Sequence, residues 1–266
     1  VKDIRLTTEG LGRFITEWMR GGQLDLSGIG KGLIFTGTAR ASGLIDQMKA
    51  SADLRSQAGK LSAKADFKNL LRFTEPILMN GNITSEDLDL GRITDIDILG
   101  PTTVAAGLSM HIEDEASINI DSLRVERLNL FKYDYKDIFA KGSYDPQSVN
   151  GTVICHDPNL NFIFQGGFAT SQKSQNTVYK FTANVGHADL NAINIDKRGK
   201  SQVQFRANAN ITTTGQGDII GRADLGDVLL ENKSGRYNIG DIIFNSYSNE
   251  DKYYARWKEI NITRQI

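Results

Sequence analysis

The sequence predicts an all-β protein, an antiparallel meander of about sixteen strands with a few short helices. Three observations carry this prediction. Apolar and polar residues alternate with a period of two along most of the chain, as in strands that bury one face. Short polar turns rich in glycine, asparagine and aspartate separate these runs. The four prolines lie in turns or near the starts of strands, where a missing N–H costs least.

The first part of the chain contains a short strand, a brief helix and three alternating runs. Residues 4–8 are extended, and residues 11–20 have the apolar spacing of a helix through Leu11, Phe14 and Trp18. Alternating runs then occupy residues 33–41, 48–54 and 61–67. The last two runs are predicted to form a hairpin, with a glycine in the connection SQAGK supplying a positive φ.

The middle of the chain is organised around a hairpin at residues 151–168, GTVICHDPNLNFIFQGGF. Asn150-Gly151 is interpreted as a tight turn before this hairpin, and Asp157-Pro158-Asn159 as the turn within it. Its second strand carries Leu160, Phe162, Phe164 and Phe168 on one parity. The alternating runs before the hairpin occupy residues 77–83, 104–112 and 118–130, and a compact apolar segment lies at 88–93. The runs after it occupy residues 179–185, 203–211, 219–225 and 242–262.

The apolar positions of the alternating runs are unusual because many of them hold small residues. A face lined by alanine leaves volume unfilled unless something else enters it. Tight packing of a strongly curved sheet explains the same pattern equally well. The small residues at apolar positions are Ala39, Ala41, Ala50, Ala52, Ala63, Ala65, Ala106, Ala183, Ala207 and Ala209.

A weak internal repeat accompanies the alternation. Residues 4–14, 83–93 and 183–193 share a strand end, a polar connection and a short apolar segment, at a spacing of roughly 80 to 100 residues. Residues 128–138 and 228–242 also resemble each other. The repeat favours an elongated sheet built from one supersecondary unit.

Composition excludes several classes of protein. The 31 Lys and Arg residues balance 32 Asp and Glu residues, so no basic surface for nucleic acid is expected. Cys155 is the single cysteine, which excludes an internal disulfide and is predicted to be a small buried side chain. No run of about 20 apolar residues occurs. Because the chain begins at Val1 without a methionine or signal peptide, we expect residues 1–266 to be one segment of a longer protein.

The sequence contains no recognisable catalytic constellation. His111, His156 and His187 lack metal-ligand spacing, and His156 and Asp157 are expected to point to opposite faces of a strand. Gly28, Gly30 and Gly32 lack the spacing of a phosphate loop. We therefore expect a protein that is not an enzyme and has no cofactor or metal. A sugar-acting enzyme on a β-helix ranks last, because it needs a cluster of carboxylates on one face.

Four stretches carry a resemblance to a known family: residues 134–145 (DYKDIFAKGSYD), 149–168, 179–194 (YKFTANVGHADLNAIN) and 224–246. They are similar to the interior of a TamB-type translocation and assembly module, in the AsmA-like group, and most nearly to its Bacteroidetes versions. The LDLGRI segment at 88–93 is also similar to segments between the units of those proteins. The likeness covers most of the chain from about residue 49 onward.

The resemblance implies a long β-taco, which is a strongly curved sheet with a hydrophobic concave groove. It implies a periplasmic protein anchored in the inner membrane that moves phospholipid between the inner and outer membranes, assists outer-membrane protein assembly, or does both. An Omp85-type outer-membrane barrel is the implied partner in assembling outer-membrane proteins. Anchor and barrel contacts would belong to other parts of the longer protein, so the groove alone is carried over to this chain.

An acyl chain gains about 0.8 kcal/mol for each methylene removed from water and needs only a continuous apolar track. Each predicted groove residue could instead be an ordinary core side chain of a closed sandwich or barrel. The alternative function is correspondingly a structural or adhesive β-solenoid at the cell surface with a filled core. The residues predicted to line a lipid-binding groove are Phe35, Leu54, Phe67, Leu108, Met110, Phe162, Phe164, Phe168, Phe181 and Phe205.

Overall fold

A computed structural model describes residues 4–7, 32–44, 46–70, 74–249, 252–258 and 263–265. In this part of the chain the fold is antiparallel β-sheet with almost no helix, which confirms the predicted all-β class. The chain divides into two compact units, Val1–Asp137 (unit 1) and Ile138–Ile266 (unit 2). The helix predicted at 11–20, the glycines at 28 and 30 and most of the first copy of the repeat lie outside the described residues.

In unit 1, consecutive strands are antiparallel neighbours in the sheet. One short helix, α1 (Leu90–Thr94), joins the fifth strand to the sixth. The strand β8 (Tyr133–Asp145) begins in this unit and continues in the next. The other strands are β1 (Ile4–Thr7), β2 (Ile34–Leu44), β3 (Gln47–Ser56), β4 (Gly59–Lys68), β5 (Ile77–Asp89), β6 (Leu99–Ile112) and β7 (Ala116–Leu130).

In unit 2, the strands again follow one another in the sheet, from the second part of β8 to the fourteenth strand. The last two strands both pair with the fourteenth, at different parts of its length. The strands are β9 (Ser148–Asp157), β10 (Leu160–Thr170), β11 (Thr177–Asp189), β12 (Ser201–Thr213), β13 (Ile219–Asn232), β14 (Gly235–Asn249), β15 (Lys252–Lys258) and β16 (Thr263–Gln265).

The register places the apolar parity of neighbouring strands on one face in each unit, which we call the apolar face. In unit 1, Leu54 lies opposite Leu61, and Met79 lies opposite both Phe67 and Met110. In unit 2, Phe164 lies between Val153 and Ala183, and Phe181 lies opposite Ala209. Alternation along each strand thus becomes a continuous apolar surface across the strands.

The opposite, polar face carries the charged and amide side chains. In unit 1 it includes Lys49 opposite Asp66 and Ser51 opposite Lys64. In unit 2, Arg222 of this face lies beside Asn210. These side chains remain hydrated, since most of them are exposed.

The internal repeat corresponds to equivalent structure in the two units. The strands β5 and β11 each contain 13 residues, and each carries a register shift before its last two residues. At each shift two residues oppose a single residue of the next strand: Glu86 and Asp87 of β5, and Gly186 and His187 of β11. Such bulges increase the local twist of a strand. The correspondence explains the similarity of residues 83–93 and 183–193.

The prediction of a turn at Asn150-Gly151 is wrong. Both residues lie inside β9, and the chain instead turns at 146–147. Asp145 and Pro146 supply the stronger turn signal, because the Asp145 carboxylate accepts hydrogen bonds from the N–H of Gln147 at 3.0 Å and from the Ser148 hydroxyl. The predicted turn at Pro158 is confirmed, with Asp157 accepting a hydrogen bond from the N–H of Asn159 at 2.9 Å.

Cys155 is fully buried on the apolar face of β9, which confirms the prediction of a small buried side chain. We expect this thiol to resist an exposed-thiol reagent such as DTNB in the folded protein and to react after denaturation, because reaction requires access to the sulfur. The measurement is absorbance with and without denaturant. Rapid stoichiometric reaction of folded protein would contradict the buried position.

Candidate apolar groove

The ten predicted groove residues all lie on the apolar faces. Unit 1 contains five of them and unit 2 the other five. Phe35 and Leu54 are buried, Phe168 is 40% exposed, and the others are half-buried. Their assignment to lipid binding stays a prediction. The five in unit 1 are Phe35, Leu54, Phe67, Leu108 and Met110, and the five in unit 2 are Phe162, Phe164, Phe168, Phe181 and Phe205.

In unit 1 the apolar faces of β3 and β4 have small side chains in the middle of the strands and larger ones toward their ends. Ala52 and Ala63 form one central row, and Ala50 and Ala65 form the next. Larger side chains flank these rows: Leu54 and Leu61 on one side, and Met48, Phe67, Met79 and Met110 on the other. The small rows do not continue across the whole unit, because Ala63 lies opposite Ile83 of β5, and Gly81 of β5 lies opposite Leu108 of β6.

In unit 2 aromatic side chains alternate with glycine and alanine. Phe164 packs against Phe181 with ring centroids 5.6 Å apart, and Phe168 packs against Tyr179 at 5.9 Å. Between these pairs, Gly166 lies opposite Phe181 and Gly151. The aromatic rings contact one another from strand to strand, and the alanine opposite Phe181, Ala209, is buried.

Sequence reasoning missed several members of this surface. Val153, Tyr144 and Tyr179 lie on the apolar face but were not predicted as groove residues. The signal was present, since each shares the parity of an alternating run that the prediction used only in part. Tyr144 ends the run of Ile138, Ala140 and Gly142 in the stretch DYKDIFAKGSYD.

One margin of the apolar face of unit 1 is covered by α1, and we call it a capped margin. Asp89 caps this helix by accepting a hydrogen bond from the N–H of Arg92 at 3.1 Å. Ile93 packs against the buried cluster of Leu33, Phe35, Leu54 and Ala58. Burial in unit 1 is concentrated here because the helix supplies a second layer.

Unit 2 has a capped margin at the equivalent place, formed by the turn at 190–196. The Asp189 carboxylate accepts hydrogen bonds from the N–H groups of Asn191 and Ala192 at 3.2 and 2.9 Å. Ile193 is 1% exposed beneath this turn. In both units the N–H of the capping aspartate donates to an earlier hairpin turn, Asp89 to the Ala58 carbonyl and Asp189 to the Asn159 carbonyl.

Hydrogen bonds hold the capping carboxylate of unit 2 in its ionised form. The pKa of Asp189 is lowered chiefly by the hydrogen bond from the Gln202 amide, at 2.9 Å, with smaller effects from Ala192, Asn191 and His187. Next to it, the Arg198 guanidinium holds the pKa of Asp196 well below its usual range. The cap is therefore a charged structure beside an apolar face.

We expect Asp189→Asn to weaken unit 2 in a pH-dependent way. A lowered pKa means that the ionised carboxylate adds stability above the pKa of the unfolded chain, near 3.9, and this stability disappears as the pH falls through the folded-state value. The amide oxygen of asparagine can still accept the N–H groups but loses the added strength of hydrogen bonds to a charged group, so the replacement should cost about 1 kcal/mol at neutral pH and less in acid. Urea unfolding at several pH values measures this, with Asp66→Asn on the polar face as the control. A pH-independent loss would contradict the assignment.

Several depressions in the described surface are lined mainly by polar-face residues, and the lining of one of them in unit 1 includes the predicted groove residue Leu108. One of about 640 Å³ in unit 2 is lined by Asn208, Asn210, Arg222, Asp224 and Asn245. Arg222 is held by Asp224, with Nε 2.8 Å from a carboxylate oxygen. Amide and charged side chains of this kind hold water, and we do not associate them with an apolar ligand.

The described residues form no group of three or more His, Cys, Asp or Glu side chains able to hold a metal ion. His156 and His187 lie on either side of Asn161 in the sheet, and His111 lies 3.8 Å from Glu113. His156 is exposed whereas Asp157 is buried, so the two side chains point to opposite faces as predicted. Within the described ranges, no helix is long and apolar enough to cross a membrane.

Comparisons with protein families, with characterised proteins and with solved structures found no match to this chain.

Proposed function

We propose that this chain is part of a hydrophobic-groove conduit that moves phospholipid between the inner and outer membranes in cell-envelope biogenesis. The proposal includes a periplasmic location and a role that is not enzymatic. The apolar faces are the surface on which acyl chains would lie. Assistance to outer-membrane protein assembly, with an Omp85-type barrel reached through other parts of the protein, belongs to the same proposal.

One observation supports the proposal above others: neighbouring strands present their apolar parity to the same face, and most of this face is half-buried. Among the described elements of each unit, the extensive contacts are those between neighbouring strands, and in unit 1 also those between α1 and β6. In the described part of each unit, a second sheet therefore does not cover the apolar face. An acyl chain could cover it and gain about 0.8 kcal/mol per methylene.

Size also favours an extended apolar ligand. Seven strands, β8 to β14, follow one another in unit 2, and at about 4.8 Å per strand they provide a surface about 30 Å across. Formal charge is absent from its central row of Phe164, Ala183 and Ala207.

The test is uptake of phospholipid by delipidated protein. We expect the purified protein to contain phospholipid by mass spectrometry, and delipidated protein to take up a fluorescent phospholipid that unlabelled phospholipid displaces. Folding of the delipidated sample is checked by circular dichroism. Folded protein that takes up no phospholipid would overturn the proposal and favour the structural β-solenoid.

A further inference from the structure

The two margins of the apolar face in unit 2 differ in exposure. At the capped margin, Cys155 is fully buried and Ala188 is 3% exposed. At the other end of the same strands, which we call the open margin, Tyr144, Phe168 and Tyr179 are 47%, 40% and 37% exposed. A ligand on this face would therefore be shielded from water at the capped margin and exposed to water at the open margin.

The open margin is a continuous row rather than three isolated side chains. Tyr144 lies opposite Val149, which lies opposite Phe168, which in turn lies opposite Tyr179. Tyrosine combines an apolar ring with a hydroxyl that can reach water, and it is enriched where apolar and aqueous regions meet. This composition suits the boundary between the tail and the head of an amphiphile.

The distance between the margins matches an acyl chain. Phe162, next to Cys155 in the sheet, and Phe168 are six residues apart on one strand, which corresponds to about 20 Å at about 3.3 Å per residue. One leaflet of a bilayer has a hydrocarbon depth of about 15 Å, half of the total. An acyl chain lying along the strands would thus extend from the open margin to the capped margin.

The turns at the open margin carry both signs of charge. Asp145 and Asp218 are each held by a hydroxyl, from Ser148 and Thr214 respectively, and Lys173 is exposed. The turn with Lys173 is closed by a hydrogen bond from the N–H of Ser171 to the carbonyl of Asn176 at 2.8 Å. Two carboxylates and one ammonium complement a head that contains both an ammonium and a phosphate better than a purely anionic head.

We propose that unit 2 binds a zwitterionic phospholipid in one orientation, with its acyl chains along the strands over Phe164 and Ala183 and its head at the margin of Tyr144, Phe168 and Tyr179. This inference rests on the proposed function and adds the class of phospholipid and its orientation on the apolar face. Unit 1 differs because Ile77, at its corresponding margin, is 6% exposed. Head-group contact is thus assigned to unit 2.

Photo-crosslinking of the unmodified chain tests the orientation. One phosphatidylcholine carries a diazirine on a choline N-alkyl group, which preserves both charges, and the other carries it at the end of an acyl chain. After irradiation, adducts are mapped by peptide mass spectrometry. We expect head adducts in the turns at 145–148, 171–176 and 214–218, and tail adducts near Cys155, Phe162 and Val185.

The outcomes separate this inference from the proposed function. Head adducts near the turn at 190–196, or spread evenly over the apolar face, would overturn the orientation but leave phospholipid binding intact. If no adduct is suppressed by excess phosphatidylcholine, both the orientation and the proposed function are overturned.

A series of binding measurements tests the head group. We expect phosphatidylcholine to bind about fivefold more tightly than phosphatidylglycerol, because the repulsion between two like charges about 4 Å apart in water corresponds to about this factor. Equal or tighter binding of phosphatidylglycerol would overturn the zwitterionic assignment.

Discussion

Phe164→Asp is expected to weaken phospholipid uptake by unit 2 strongly, whereas Ile163→Asp is expected to leave it unchanged. The two residues are neighbours on β10, so they point to opposite faces of the sheet. Phe164 lies on the apolar face against Phe181, and Ile163 is 46% exposed on the polar face. The pair introduces the same charge at adjacent positions and differs in the face that receives it.

The expected difference follows from the cost of desolvating a carboxylate. In Phe164→Asp, an acyl chain lying over the new carboxylate would bury a charge without a partner, and ligand binding should weaken by about tenfold or more. In Ile163→Asp the same carboxylate would remain in water. Titration of each delipidated variant with fluorescent phospholipid measures the effect. Equal uptake by the two variants would contradict a ligand on the apolar face.

A third variant separates loss of the groove from loss of folding. Ala183 lies between Phe164 and Ala207 on the apolar face. On an open face the indole of Ala183→Trp would extend into free space, so stability should be nearly unchanged while phospholipid capacity falls. In a filled core the same substitution would overpack and cost about 1–3 kcal/mol. Urea unfolding together with uptake therefore distinguishes the conduit from the β-solenoid.

The alternation of apolar and polar residues was sufficient to predict the strands and the face on which each predicted groove residue lies. The reason is geometric: a period of two decides the face within one strand, and hairpins bring neighbouring strands into register. Phe162 and Phe164 could be assigned to one surface in this way. The hairpin at 56–60 was also predictable, because Gly59 has a φ of 120° that glycine readily adopts.

The capped margins could not be predicted in the same way. The sequence indicates an apolar segment that contains Leu190 and Ile193. The position of this segment is fixed by a hydrogen bond from the N–H of Asp189 to the carbonyl of Asn159, which is distant in sequence, and Ile193 is buried there. The turn before β9 was misplaced for a related reason. Asn150-Gly151 is a good local turn, yet Gly151 pairs with both Gly142 and Gly166 inside the sheet. Pairing with neighbouring strands outweighs local propensity at these positions.

Gly167→Ala is expected to reduce the free energy of unfolding by about 2–4 kcal/mol, among the largest effects for a single methyl group. A Cβ at Gly167 would overlap the carbonyl oxygen of Val149 and lie 2.8 Å from the Cα of Asn150. Both obstacles are backbone atoms of β9, so no side-chain rotation relieves them. The strands β9 and β10 would have to separate.

Gly186→Ala is the matched control. It also lies in an alternating run, on β11, but its added Cβ would meet only the Asn161 side-chain oxygen at 3.7 Å, an ordinary contact. Neither glycine requires a positive φ. We expect this variant to be neutral or to gain about 0.4–1 kcal/mol, because alanine restricts the unfolded chain. Urea unfolding of both variants gives the comparison.

The comparison of these glycines also tests the register on which the groove depends. Gly167 is crowded only because β9 pairs with β10 so that Asn150 lies opposite it. The same register places Phe164 opposite Val153 and Phe168 opposite Val149 on the apolar face. Since a shift of one residue would move all four side chains relative to their neighbours, equal losses at Gly167 and Gly186 would contradict this pairing. A large loss confined to Gly167 would support the continuous apolar surface from which phospholipid binding is inferred.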